Sequence, residues 1–106
     1  MVTGAYHAAV FALSQGIPVV GLSSSQYYDD KFEGLADMFG CGVDLVRIGA
    51  DADSDTVEER VCRAASGLWR DAADLRAALL DSAVHQVRLS RAAFERAAEL
   101  IGAGAP

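Results

Sequence analysis

The run Ile17-Pro18-Val19-Val20-Gly21-Leu22 constrains this chain more than any other stretch. Pro18 has no N–H to donate, so no helix continues through it, and Val19 to Leu22 are apolar without alternation. A strand that is apolar on both faces is covered on both faces, which is the habit of parallel sheets flanked by helices. Parallel neighbours need a crossover between them, usually a helix. The preceding residues supply one: His7 to Gln15 is apolar almost all round, which predicts a helix buried on most sides, and Gly16 fits the position just past its end. Val2 and Thr3, β-branched and leading into Gly4, read as the tail of an earlier strand whose start is expected upstream, in a longer chain.

The alternation continues. Ser23 to Tyr28 is polar without period and reads as a loop, after which Asp29 and Asp30 suit the N-terminus of a helix carrying Phe32, Leu35, Ala36 and Phe39 at helical spacing. Gly40 ends that helix, Cys41 to Ile48 reads as a third strand, and Gly49 to Asp53 as an acidic loop. Asp55 with Glu58 resembles a capping box that opens a helix through Val57, Val61, Ala64, Ala65 and Leu68, with a break between Gly67 and Asp71. Ala72 to Ile101 is rich in strong helix formers, with an apolar stripe through Leu75, Leu79, Ala83, Val87, Phe94 and Ile101. A kink is expected near Ser90 and fraying over residues 102–106. The fold class expected is α/β: a single partial domain with a βαβαβα core over 1–70, built on a small three-stranded parallel sheet, and a C-terminal amphipathic helix over 71–102.

Composition excludes several functions. A formal charge of −6 from 106 residues argues against a nucleic-acid partner, because phosphate binding relies on clustered Lys and Arg. With 52% hydrophobic and 23% charged residues the chain is neither disordered nor membranous; no run approaches the roughly 20 apolar residues that span a bilayer, and a cytoplasmic location is expected. Cys41 and Cys62 match no metal or disulfide pattern and read as small buried hydrophobes. Asp51, Asp53 and Asp55 alternate as in calcium loops but lack the glycine and distal Glu, so a solvated loop is the better reading and no metal is expected. Trp69 and His85 lie on helical segments, Trp69 by default in the core and His85 in the core or at the surface.

Ligands of an open parallel sheet bind beyond the carboxyl ends of its strands. Two loops meet that condition, Gly4 to His7 and Ser23 to Lys31. The first opens a helix whose free amides favour an anion, with His7 in its first turn either as a donor to that anion and an acid, or as a cap. Ser23, Ser24 and Ser25 either donate to a ligand or build a turn; Lys31 either neutralises an anion or sits in solvent, and Arg47 is the other cation near this edge. Tyr27 and Tyr28 either stack on a ligand or pack the loop.

Residues 2 to about 39 resemble the C-terminal part of polysaccharide pyruvyl transferases, which have a two-domain, GT-B-like fold with Rossmann-like sheets. The matching features are the turn at His7, the Ala-rich helix, Gly16-Ile17-Pro18-Val19-Val20, and Tyr28-x-x-Lys31 before Phe32 and Gly34. The resemblance implies transfer of a pyruvyl group from phosphoenolpyruvate to hydroxyls of a sugar in a polysaccharide, with no further cofactor. It makes His7 the catalytic candidate, and Gly4, His7, Ser23, Ser24, Ser25, Tyr28 and Lys31 the substrate-binding candidates. The family turn reads Arg-x-His, whereas this chain has Ala5-Tyr6-His7, so the histidine carries over and the arginine does not. A missing charge-assisted bond of that kind is worth about 1.5–3 kcal/mol. The family also has an N-terminal domain across the acceptor cleft, so a chain of this length is expected to be inactive alone and to pair with that domain or with itself. The alternatives are a GT-B glycosyltransferase-like nucleotide-sugar domain, and a non-catalytic truncated domain that self-associates through its last helix.

Overall fold

The computed structural model describes residues 1–49 and 53–103. Their order is β1 (Val2–Thr3), α1 (Tyr6–Ser14), β2 (Val19–Ser23), α2 (Gln26–Phe39), β3 (Val43–Arg47), α3 (Ser54–Arg70) and α4 (Ala72–Ala103). The α/β class and the three parallel strands match the pattern read from the sequence. Strand order is β1-β2-β3, with Val2 opposite Val20, Val19 opposite Val43 and Ser23 opposite Arg47. Two successive crossovers in one direction put α1 and α2 on the same face, where their buried side chains share one core.

That face holds the core: Ala9, Ala12 and Leu13 of α1, Val19 of β2, Phe32, Leu35 and Phe39 of α2, and Leu79 of α4 are all buried. Gly21 makes the packing possible, because a Cβ there would lie 2.7 Å from Cδ1 of Phe32. Val20 faces the other way, where α3 packs against β2 and β3; Met1, Val2, Val20, Leu68 and Trp69 line an open apolar groove of about 550 Å³ beside the outer edge of β1. Gly40 closes α2 in the left-handed conformation at φ 77°, and its N–H donates to the Ala36 carbonyl.

Several local expectations shift. α2 begins at Gln26, not at Asp29, because the Ser25 hydroxyl accepts from the Tyr28 amide and caps the helix one turn earlier. α3 is capped by Asp53, whose carboxylate accepts from the Asp55 amide, so Asp55 lies in the first turn. The expected stripe of α3 is its half-buried face, but Trp69, one residue round from Leu68, is 83% exposed. Cys41 is half-buried and Cys62 exposed, so neither is a core residue, and His85 is at the surface. Phe11 breaks the all-round burial expected of α1, standing 67% exposed.

The helical assignment of α4 runs unbroken through Ser90 to Ala103. Its stripe is split: Leu79 is fully buried and Leu75 and Ala83 are half-buried, whereas Val87, Phe94 and Ile101 are exposed. The cause is length. A helix of 32 residues reaches about 48 Å, and its second half runs past the sheet to give a molecule 65 Å long and 32 Å wide. Asp51 of the acidic loop and the last three of the residues expected to fray lie outside the described residues.

Candidate functional site

β1 and β2 are adjacent and parallel, so their carboxyl ends deliver the first turns of α1 and α2 to one rim. Each turn is built differently. The Thr3 hydroxyl accepts from the Ala5 amide at 3.0 Å, and Ala5, as N-cap, offers α1 no side-chain acceptor. The first-turn amides of α1 therefore face the rim without a capping oxygen of their own helix terminus. In the second turn, Ser23 Oγ donates to the Ser25 carbonyl at 2.9 Å and Ser25 Oγ accepts from the Tyr28 amide at 3.4 Å. Ser23 and Ser25 thus fold the turn, the structural of the two roles open to them; Ser24 is exposed.

The candidate residues fall into two groups. On the β1 side, the ammonium of Lys31 stands 4.9 Å from the ring centre of Tyr6 and 5.0 Å from that of Tyr27. Tyr6 in turn meets the His7 ring edge-on at 5.7 Å, and Tyr27 meets Tyr28 edge-on at 5.4 Å. His7 is exposed, not buried among aliphatic side chains. Tyr6 is the member that sequence reasoning missed: it joins the His7 turn to Lys31 on α2, and its only signal was an aromatic residue directly before His7. A hydrogen-bonding interaction with Tyr27, opposed by slight desolvation and helped by the nearby Tyr6 and Tyr28, raises the Lys31 pKa above its ordinary value. Lys31 is thus a fixed cation at neutral pH, held between aromatic faces. Gly4 lies at the end of β1, where a Cβ would make only ordinary contact with the Leu22 carbonyl at 3.4 Å.

On the β3 side, Ser23, Ser24, Ser25, Gln26, Asp29 and Arg47 surround a small cleft of about 240 Å³. The Arg47 guanidinium pairs with the Asp29 carboxylate and donates to Gln26 Oε1 at 3.1 Å. Arg47 is therefore the second cation at this rim, as its position in the sequence implied, but its charge is matched by Asp29. Among the described residues Lys31 forms no ion pair, so its group carries the positive charge left unmatched at this rim.

Among the described residues no cluster of three or more His, Cys, Asp or Glu side chains could hold a metal ion. No helix among them is long and apolar enough to cross a membrane. Comparison with known proteins finds no matching family model, no matching curated protein and no matching solved structure.

Proposed function

We propose that this chain carries the donor half of a polysaccharide pyruvyl transferase-like site, binding phosphoenolpyruvate at the rim of β1 and β2. The observation that carries the reading is the seating of Lys31 between Tyr6 and Tyr27, beside the exposed His7 and the uncapped first turn of α1. A donor with a phosphate and a carboxylate needs positive charge and free amides at one place, and these groups supply both. His7 is the proton donor to the departing phosphate, and Lys31 holds the anionic donor in place. The Arg-x-His pattern is met only in part, since Ala5 stands at the arginine position. The glycan acceptor would approach from the open side of the rim, opposite a second domain, so the chain alone binds donor without completing transfer.

The test is titration of the chain with phosphoenolpyruvate, followed by amide chemical shifts. Saturable shifts at Tyr6, His7 and Ala8 are expected, with affinity at least about tenfold weaker in Lys31→Met and in His7→Ala, since each removes a charge-assisted or strong polar contact. Affinity unchanged in both variants removes the site. Saturation by a nucleoside diphosphate-sugar with indifference to phosphoenolpyruvate would instead favour a glycosyltransferase-like nucleotide-sugar domain.

A further inference from the structure

α4 leaves the domain at Gln86. Its last side-chain hydrogen bonds to the rest of the described residues are Ser82 Oγ donating to the Phe39 carbonyl at 2.8 Å and Gln86 Nε2 donating to the Met38 carbonyl at 3.1 Å. From Val87 to Gly102 every residue is exposed. An isolated helical extension of this size is marginal in water, since propensity alone stabilises it weakly. This one also carries a seam. Val84, Val87, Arg91, Phe94, Ala98 and Ile101 recur at spacings of three and four in strict alternation, the 3.5-residue period of a two-helix coiled coil. Val87 is 57%, Phe94 77% and Ile101 76% exposed, so the seam has no partner among the described residues.

We propose that residues 84–101 of α4 pair antiparallel with the same residues of a second copy of this chain. The charges beside the seam choose the occupant and its direction. Arg88 and Glu95 flank the seam on one side, and small Ser90 and Ala97 on the other. In a parallel pair, the charged flank of one helix meets the small flank of the other, and Arg91 meets Arg91 of the second copy. That arrangement gains no ion pair and places two like charges in the seam. In an antiparallel pair like flanks meet. With Val84 against Ile101 of the second copy and Val87 against its Ala98, Arg91 covers its Phe94 and Arg88 lies beside its Glu95. Symmetry doubles each contact, giving two ion pairs and two cation–π contacts. The register also separates the domains. Leu79, where each helix is anchored in its core, lies about 13 residues from the centre of the overlap, so the two anchors stand about 40 Å apart at opposite ends of the pair. This inference is independent of the donor site.

Sedimentation equilibrium of the 106-residue chain over a concentration series is the test. A monomer–dimer equilibrium is expected. Arg88→Glu and Glu95→Arg, each alone, turn both ion pairs repulsive and weaken the dimer about tenfold at low salt. Both changes on one chain restore it, and Phe94→Ser abolishes it while the circular dichroism of the domain stays helical. A monomer mass throughout, a larger assembly, or a dimer indifferent to either single charge reversal overturns the proposal.

Discussion

Arg47, the last residue of β3, closes an ion pair with Asp29 in the first turn of α2, across 18 residues of sequence. The two ends differ in environment: the Asp29 side chain is 2% exposed and that of Arg47 64%. Its second oxygen, Oδ1, is buried without a hydrogen-bond partner, so the guanidinium is the main compensation for burying this carboxylate. The pair ties α2 to the end of the sheet and fixes the turn that carries Ser23 to Ser25.

Arg47→Ala therefore leaves a buried carboxylate uncompensated and costs about 1–3 kcal/mol, read from urea unfolding. Adding Asp29→Asn recovers part of that loss, because a neutral amide is cheaper to bury than a charge. Strict additivity of the two changes would show that the residues do not interact.

Gly21→Ala drives a methyl group into the Phe32 ring. The ring is held by the core and cannot give way freely, so overpacking costs about 1–3 kcal/mol. Gly21→Ala combined with Phe32→Leu is more stable than Gly21→Ala alone. A thermal midpoint for Gly21→Ala equal to that of wild type would contradict the close approach.

Leu79 is the one fully buried side chain of α4 among the described residues, and it inserts between α1, α2 and the start of β3. Leu79→Ala loses transfer energy and leaves a cavity, about 2–5 kcal/mol in all. The Gln86 side-chain contact with the Met38 carbonyl is exposed, and Gln86→Ala should fall within about 0.5 kcal/mol of wild type. Equal effects of the two changes would place the anchor of α4 elsewhere.

Lys31 titrates above its ordinary value of 10.5 because Tyr27 favours its charged form. The sign follows from linkage: a folded-state pKa raised above the unfolded one contributes stability in full below the unfolded pKa, and that contribution disappears as pH climbs through the folded value. The stability difference between wild type and Lys31→Met is thus constant from neutral pH to the foot of the lysine titration, and wild type loses stability relative to the variant above it. Chemical unfolding of both proteins across the alkaline range reads this directly; parallel curves would count against the Lys31–Tyr27 interaction.

Much of the rim could be read in advance because its elements announce themselves locally. Pro18 and the unalternating Val19 to Leu22 required a covered strand, and Gly16 and Gly40 marked the ends of the helices around it. The start of α2 is ambiguous in the sequence because Ser25 and Asp29 are both good helix-opening residues, and only the hydrogen bond from the Tyr28 amide to Ser25 Oγ separates a cap from a buried ion-pair partner. Tyr6 is not legible in the sequence as a rim residue because its significance lies in what it touches, Lys31 on a different helix.

By itself the sequence determined the order and type of the elements, and with them the meeting of two loop ends at one rim, because backbone periodicity, proline and glycine act over a few residues. Only the tertiary structure decided which charges are matched. The register that sets Ser23 opposite Arg47 gives Arg47 to Asp29 and leaves Lys31 between Tyr6 and Tyr27. It also decided that Trp69 and the far half of α4 stand in solvent, because burial depends on where a neighbouring surface ends, and the sheet ends before the helix does.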